Sequence, residues 1–194
     1  MLARFQDLFV RLCADAALRA RFRADPAAVL DEADLGERER RALLGIPGDA
    51  LERYARSLVE KRAREVAKVL PLTRRVAPSV LARYRAFLEQ SPAEVADPAL
   101  DPGAAEALRA LSHLCRALRD DEGEAPYAPA LLAFEVLRAA SRADGQVRTL
   151  RCRYRADLLA RDVEEGQLPV DPEPAPCLFR FSRAGMKVRC KEEP

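Results

Sequence analysis

Histidine is nearly absent from this chain, and its scarcity excludes several kinds of catalytic site. The single histidine, His113, sits among leucines in a predicted helix, with no metal ligand or catalytic base three or four residues later. A Ser-His-Asp or Cys-His arrangement would have to use this one residue. Histidine-rich zinc or iron centres and Glu-x-x-His carboxylate sites need more histidines than the chain has. We therefore expect a structural or surface role for His113, no metal site and no catalytic residues in this chain.

Phosphate-binding motifs, long apolar runs and closely spaced cysteine pairs are missing as well. Neither G-x-x-x-x-G-K-[ST] nor G-x-G-x-x-G occurs, which removes the usual phosphate cradles. No stretch approaches the ~20 apolar residues of a membrane span, and the first residues lack the pattern of a signal peptide. The five cysteines are an odd number with no C-x-x-C pair. We expect a cytoplasmic protein with reduced thiols, no disulfide framework and no membrane contact.

Opposite charges nearly cancel, so net charge points to no particular partner. Lysine and arginine together number 33 against 31 acidic residues, for a net charge of +2 at pH 7. An argument for an acidic or nucleic-acid partner must therefore rest on local clusters of charge. With 194 residues, 49% of them hydrophobic, the chain is long enough to bury an ordinary core without disulfide or metal cross-links.

Apolar residues at helical spacing dominate the chain up to residue 142. Short helices are predicted first, with Asp15 and Asp25 as N-terminal caps. A long helix follows from Asp49 to Leu70 and ends before a proline, because a residue that precedes proline avoids the helical conformation. The last predicted helix, from Pro126 to Ala140, is apolar on nearly every side. We expect it to be central to the domain.

The pattern changes to period two after Gly145. Three predicted strands alternate apolar residues with cations, and a short turn containing Gly185 joins the last two as a β-hairpin. Because residues i and i+2 share one face of a strand, the apolar face would carry Leu150, Cys152, Tyr154, Phe179, Phe181, Met186, Val188 and Cys190. The other face would carry Arg151, Arg153, Arg155, Arg180, Lys187, Arg189 and Lys191. We predict an α+β, mainly α chain, with a multi-helix domain at residues 1–142 and a small, basic, antiparallel β element at residues 143–194.

Clustered cations on one strand face have two explanations. Arginine and lysine protect exposed strands from aggregation, but seven cations with no acid among them exceed what protection usually needs. Such a face could bind an extended acidic peptide by strand addition, or it could lie along a phosphate backbone. We select as peptide-binding candidates Arg151, Arg153, Arg155, Arg180, Lys187 and Arg189.

Two further features have alternative roles. Three cysteines lie on or next to the apolar strand face, namely Cys152, Cys177 and Cys190. Three thiols there could bind a soft metal, but buried cysteines usually act as small hydrophobic residues, and we prefer that role. Glu135 is an acid in a nearly all-apolar helix. Because a buried carboxylate needs a partner, we expect it either to pair with a cation such as Arg56 or Arg62 or to meet a partner chain.

The middle of the chain resembles a known family of proteins. The segments that carry the resemblance follow one another in order: Tyr54-Ala55-Arg56-Ser57-Leu58, Arg62, Val69-Leu70-Pro71-Leu72-Thr73, Leu81 to Phe87, and Tyr127 to Glu135. They are similar to the helical module of partner proteins encoded beside multinuclear non-haem iron-dependent oxidases. These oxidases modify cysteine-bearing ribosomal peptides, as in methanobactin biosynthesis. The resemblance covers about residues 50–140, and its best motif is Tyr-x-Pro-x-Leu-x-x-Phe-Glu at Tyr127 to Glu135, where family members more often carry Leu-Glu.

The resemblance implies a non-catalytic accessory subunit in ribosomal peptide biosynthesis. Such partners dock on the oxidase and present the precursor peptide to it, often by binding its leader through a strand-rich element. The oxidase holds the iron, so no cofactor is expected in this chain. The family pattern makes Tyr127, Phe134 and Glu135 candidate partner-interface positions, and core packing would explain them equally well.

Three other functions stay open at this point. The same helical module is often labelled a DNA-binding domain, so a DNA-binding regulator is the first alternative. Against it, no recognition helix with clustered cations follows a tight turn, and we do not expect nucleic acid as a partner. A stand-alone enzyme and a scaffold without a small ligand are the two remaining alternatives.

Overall fold

The computed structural model of the protein describes residues 2–90 and 100–190, without the side chains of residues 2, 3, 90, 189 and 190. Its helices and strands are α1 (Leu2–Ala14), α2 (Ala16–Ala24), α3 (Pro26–Glu32), α4 (Glu37–Leu44), α5 (Gly48–Val69), α6 (Thr73–Val76), α7 (Val80–Gln90), α8 (Pro102–Arg119), α9 (Ala128–Asp144), β1 (Arg148–Cys152), α10 (Ala156–Glu164), β2 (Cys177–Ser182) and β3 (Gly185–Cys190). The predicted α+β, mainly α fold with a small C-terminal antiparallel β element is therefore confirmed. None of the described helices is long and apolar enough to cross a membrane.

The first compact unit comprises Met1–Lys61 and Arg85–Val95. Its short helices begin where the sequence supplies caps. The carboxylates of Asp15 and Asp25 each accept a hydrogen bond from the amide three residues later, at 2.9 and 3.1 Å. Such caps satisfy amide groups that the first turn of a helix leaves without partners. The core of this unit is built from the apolar sides of the helices and includes Leu8, Leu12, Leu18, Leu30, Leu43 and Leu51.

The second compact unit comprises Arg62–Tyr84 and Ala96–Pro194. Helix α9 lies at its centre, as its apolar composition predicts, because α6, α8, α10 and the sheet all pack against it. Gly145, at φ 75°, ends this helix in the left-handed conformation that favours glycine. At the start of α8, Gly103 permits a close approach to α5, since a Cβ at this position would lie 2.5 Å from the carbonyl oxygen of Glu65.

The sheet has the strand order β1-β2-β3, so β2 is central and the other two strands are edges. Strands β2 and β3 form the predicted hairpin, in which Ser182 pairs with Gly185 across the turn. The register decides which residues share a face. On the face that packs towards α9, one register position holds Leu150, Phe179 and Val188. On the opposite face, one position holds Thr149, Arg180 and Lys187, and the next holds Arg151, Leu178 and Arg189.

One segment of the C-terminal element departs from the predicted pattern. Strand β1 ends at Cys152, and α10 follows where no helix was expected. The prediction that Arg153, Tyr154 and Arg155 continue the strand is therefore wrong. A helix forms there because its apolar side chains are buried at helical spacing, namely those of Leu159, Ala160 and Val163. Lys191, predicted on the basic strand face, lies outside the described residues.

The two compact units have other boundaries than the domains expected from the sequence. The expected boundary falls between residues 142 and 143, whereas the sheet belongs to the same compact unit as α8 and α9. Aromatic contacts from α9 to β2 show that the last helix before the sheet and the sheet itself share a core. Which parts of the chain fold independently as domains stays a prediction.

Candidate functional site

Among the residues whose side chains the structure describes, the outward face of the sheet carries three exposed cations, Arg151, Arg180 and Lys187, which we term the basic face. Arg180 lies directly opposite Lys187, and Arg151 is diagonal to Arg180 because it pairs with Leu178. In antiparallel sheets, opposite residues have Cβ atoms about 5 Å apart and diagonal residues lie about 7–8 Å apart. The sheet therefore groups three positive charges within reach of a single extended ligand.

In the part of the chain that the structure describes, no carboxylate forms an ion pair with the basic face. The ion pairs nearby use other arginines: Arg148 with Asp144, Arg155 with Asp157, and Arg161 with Asp162. Like charges placed directly opposite each other destabilise a sheet. An anion beside them removes that repulsion, so the arrangement suits an acidic ligand.

The other peptide-binding candidates lie apart from the basic face or have no described side chain. Arg153 follows the end of β1, and its guanidinium carbon lies 5.9 Å from the ring centre of Tyr154. Arg155 stands at the N-cap of α10 and donates to Asp157 at 2.7 and 2.8 Å. These hydrogen bonds lower the pKa of the Asp157 carboxyl. The backbone of Arg189 lies on the outward side of the register, and its side chain is outside the described structure.

An aromatic cluster holds the sheet on α9. The ring centre of Phe134 lies 5.5 Å from that of Phe179 and 5.6 Å from that of Phe181, with interplanar angles of 79° and 71°. The guanidinium carbon of Arg138 lies 5.3 Å from the centre of the Phe134 ring. Edge-to-face contacts of this kind add to the stabilisation that burial provides. The cluster fixes which strand face is buried, and thereby fixes the basic face as the outward one.

The edge formed by β3 offers both hydrogen-bonding groups and apolar surface. Ser182 and Gly185 close a two-residue hairpin and exchange backbone hydrogen bonds. Every second pair along the two strands does the same, so the next hydrogen-bonded pair is Arg180 with Lys187. The backbone groups of Met186 and Val188 therefore point away from β2. On the apolar face Met186 is 37% exposed, whereas Phe181 opposite it is 1% exposed. An extended chain beside β3 would meet these groups.

Tyr127, Phe134 and Glu135, which the family pattern suggested as partner-interface positions, are buried in the core of the second unit. Their exposed fractions are 1%, 1% and 3%. In the chain alone these side chains serve packing and internal hydrogen bonding, and they offer no accessible surface. We therefore leave them out of the candidate functional surface.

Glu135 bonds to a backbone turn rather than to either predicted arginine, Arg56 or Arg62. Its carboxylate accepts hydrogen bonds from the amides of Leu72 and Thr73, both at 2.8 Å, and from the Thr73 hydroxyl at 2.6 Å. Burial raises the pKa of Glu135, and the hydrogen bonds from Thr73 and Leu72 oppose that rise. The carboxylate thereby joins the proline turn after α5 to α9, two segments of the family resemblance.

Arg62 belongs to a polar network that the sequence reasoning missed. Its guanidinium donates to Glu106 at 3.0 and 2.8 Å, and the Tyr84 hydroxyl donates to the same carboxylate at 2.8 Å. Burial acts to raise the pKa of Glu106, but the hydrogen bonds from Arg62 and Tyr84 outweigh it, and the pKa is lowered. Burial, together with the charge of Glu106, raises the pKa of Tyr84. The network is a structural cross-link between helices.

We found no metal site, exposed histidine cluster or empty charged cleft in the described part of the chain that would compete with the basic face as a ligand site. No group of three or more His, Cys, Asp or Glu side chains in the described residues could hold a metal ion. His113 is exposed on α8. A cleft of about 200 Å³ in the first unit is lined in part by Arg19 and Glu52, but Glu52 already pairs with Arg19 at 3.5 Å and with Arg23.

Comparisons of the chain with protein-family models, with curated proteins and with solved structures found no match. The basic face and the sequence resemblance are the features of this chain that point to a function.

Proposed function

We propose that this chain is a non-catalytic partner subunit that holds an extended acidic peptide on its basic face. The observation that carries this proposal is the placement of Arg180 opposite Lys187, with Arg151 on the diagonal and no described carboxylate paired to them. Opposed like charges cost stability in a sheet. An acidic ligand removes this cost, because its negative charges offset the repulsion between the cations. Packing of the sheet does not require cations at these exposed positions.

An extended peptide matches the spacing of these cations. Side chains on one face of a strand repeat about every 6.8 Å, and neighbouring strands lie about 4.8 Å apart. Acidic residues at every second position of a peptide beside β3 would come next to Lys187, with Arg180 one strand further away. The residues between them would face Met186, which is 37% exposed on the apolar side. The preferred peptide therefore alternates acidic and apolar residues.

The partners in this proposal are those that the family resemblance implies. The peptide would be the leader of a ribosomal precursor, and the enzyme would be a multinuclear non-haem iron oxidase on which this chain docks. The oxidase would hold the iron and carry out the chemistry. The hydrogen bonds of Glu135 support the use of the family pattern, because they join Leu72 and Thr73 to the motif that ends at Glu135.

Charge reversal on the sheet tests peptide binding. The Arg180→Glu/Lys187→Glu variant should bind a fluorescein-labelled peptide of alternating glutamate and leucine about tenfold more weakly than the unmodified chain, or worse, by fluorescence anisotropy. The Arg38→Glu/Lys61→Glu variant makes the same change in net charge at exposed positions of the first unit. It should bind like the unmodified chain. Equal losses in both variants, or no loss in either, would refute the assignment to the basic face.

Co-expression tests the proposed partner. When the chain is produced together with the proteins encoded beside it, size-exclusion chromatography should yield a complex whose peak contains iron. A chain that elutes alone and binds duplex DNA at physiological salt, with affinity that falls steeply as salt rises, would instead support the DNA-binding regulator.

A further inference from the structure

Three cysteines occupy a single register position across the sheet. Cys152 of β1 lies opposite Cys177 of β2, and Cys177 lies opposite Cys190 of β3. Cys177 is 5% exposed and Cys152 is half-buried. The alternation in the sequence places these residues on one face, but only the register shows that they are direct neighbours.

The hairpin determines how Cys152 and Cys177 are paired. Because Ser182 and Gly185 form its hydrogen-bonded closing pair, every second residue of β2 counted from Ser182 directs its backbone groups to β3. The remaining residues, including Cys177, direct theirs to β1. Cys152 and Cys177 therefore form a hydrogen-bonded pair, with Cα atoms about 5.5 Å apart. Disulfides form at Cα separations of about 4.4–6.8 Å, so the backbone already holds the two residues within reach.

Each of the two thiols lies beside a backbone carbonyl oxygen. The sulfur of Cys152 lies 2.9 Å from the carbonyl oxygen of Tyr154, and that of Cys177 lies 3.1 Å from the carbonyl oxygen of Ala175. Each sulfur therefore has a backbone oxygen within hydrogen-bonding distance. Cys152 is half-buried, whereas Cys177 is 5% exposed, so Cys152 is the more accessible residue of the pair and the one that an oxidant would meet first.

We propose that Cys152 and Cys177 form a reversible disulfide, with a low-molecular-weight disulfide such as glutathione disulfide as the oxidant. The Cys152 thiol loses its proton, and the thiolate attacks one sulfur of glutathione disulfide, which releases one glutathione. The Cys177 thiolate then attacks the Cys152 sulfur of this mixed disulfide and releases the second glutathione. The two protein thiols lose two electrons and two protons, and one glutathione disulfide becomes two glutathione thiols. Formation of this disulfide does not require peptide binding.

The geometry of the pair makes such a bond easy to reduce. Directly opposite residues have Cβ atoms about 4.5–5.5 Å apart, and hydrogen-bonded pairs lie towards the wider end of that range. The Cβ atoms of a disulfide are about 3.8 Å apart, so bond formation must bring the two Cβ atoms closer by about 1.5 Å. Strained disulfides are more oxidising and open more readily than structural ones. A bond with these properties responds to the thiol balance of its surroundings.

The bond would lie directly behind the basic face. Arg151 and Leu178 occupy the register position next to the two cysteines, on the opposite side of the sheet. Oxidation would join β1 to β2 covalently at this end, and the closed loop would contain α10 and the proline-rich segment before β2. The site therefore controls how firmly the strand that carries Arg151 is held.

Oxidation of the full chain with glutathione disulfide tests the proposal. After alkylation, intact-mass spectrometry should show that two thiols are lost without retained glutathione, and peptide mapping should find Cys152 linked to Cys177. Treatment with dithiothreitol should restore both thiols. If mapping finds both thiols alkylated under oxidant, no disulfide forms and the proposal is overturned.

Single substitutions provide the controls. The Cys177→Ala variant should keep glutathione on Cys152, and the Cys152→Ala variant should lose no pair of thiols. Cys177 is buried, so its replacement could impair folding. Cys152 is half-buried, and the Cys152→Ala variant then still tests the proposal. The variants Cys13→Ala and Cys115→Ala should oxidise like the unmodified chain, since burial raises the pKa of both thiols, that of Cys115 to about 11. A link from Cys177 to Cys190, or one between two molecules, would overturn the assignment of the pair.

Discussion

Replacement of Glu135 by glutamine tests how the turn after α5 is held. The buried carboxylate accepts three hydrogen bonds, from the amides of Leu72 and Thr73 and from the Thr73 hydroxyl. Glutamine has one oxygen that accepts and an amide nitrogen that donates, so at least one of these donors loses its acceptor. A buried donor without an acceptor costs about 1–3 kcal/mol. We expect Glu135→Gln to lower the free energy of unfolding by about that amount.

Two further substitutions bracket this value. Glu135→Ala removes every acceptor and leaves a cavity, so it should lower the free energy of unfolding by about 3–5 kcal/mol. Thr73→Val keeps the shape of the side chain and removes only the hydroxyl donor, which should cost about 1 kcal/mol. Urea denaturation followed by far-ultraviolet circular dichroism measures all three. A Glu135→Ala variant as stable as the unmodified chain would refute the reasoning, and so would a larger loss in Thr73→Val than in Glu135→Ala.

The same carboxyl should make stability depend on pH. Burial raises the pKa of Glu135 above its ordinary value of 4.5, so the folded chain keeps this proton to higher pH than the unfolded chain does. The stability that this group contributes is fully present below pH 4.5 and is lost as pH rises through the folded pKa. Glu135→Gln should remove this component from a series of urea denaturation curves at different pH. Parallel pH profiles for the variant and the unmodified chain would contradict the assigned direction.

Three further changes test the packing of the second unit. Phe134→Ala opens a cavity between α9 and the sheet and should lower the free energy of unfolding, measured in urea, by about 3–5 kcal/mol; a loss of a few tenths would contradict the aromatic cluster as an anchor. Gly103→Ala places a methyl group 2.5 Å from the carbonyl oxygen of Glu65, and such overpacking should cost about 1–3 kcal/mol and lower the Tm by calorimetry. Hydrogen bonds from Arg148 hold the pKa of Asp144 at about 2, so the stability from this pair is present above pH 3.8 and lost as pH falls towards 2. Asp144→Asn should lack that acid-dependent loss in thermal melts across the same pH range.

Periodicity in the sequence is enough to predict the elements that surround the site. The helix that is apolar on nearly every side proves to be α9, with neighbours on several sides. The alternation around Gly185 predicts the hairpin, and the structure places this glycine at φ 138°, where other residues are strained. These predictions succeed because each depends only on the local spacing of apolar residues and on the rule that apolar faces are buried.

Helix α10 shows where the local pattern fails. The alternation that begins in β1 continues through Arg153 and Arg155, so the sequence alone favours a longer strand. The strand ends at Cys152 because Leu159 and Val163 are buried on one side of a helix instead. These side chains are buried because α10 packs against α9. Local sequence pattern does not show which elements will pack together in the folded chain. The basic face is therefore smaller than predicted and lies on all three strands.

The hydrogen-bond partners of Glu135 could not be predicted from the sequence, for a different reason. Its main bonds are to backbone amides near Thr73, which is 62 residues away. Every residue except proline carries such an amide, so no residue type identifies the partner. An arginine was the natural expectation for a buried acid, and the structure shows that a turn with unsatisfied amides serves equally well.

Phe134 and Glu135 are neighbours on α9, and neither side chain is accessible to a partner in the chain alone. Adjacent residues of a helix lie about 100° apart around its axis, so Phe134 contacts the sheet while Glu135 holds the turn after α5. A substitution at either residue removes a buried contact and lowers the stability of the chain, whether or not it also affects binding of a partner. Weaker binding of the proposed oxidase partner in such a variant would therefore identify a partner contact only if the free energy of unfolding were unchanged. Substitutions on the basic face are free of this ambiguity, because Arg180 and Lys187 are exposed and have no ion-pair partner among the described residues.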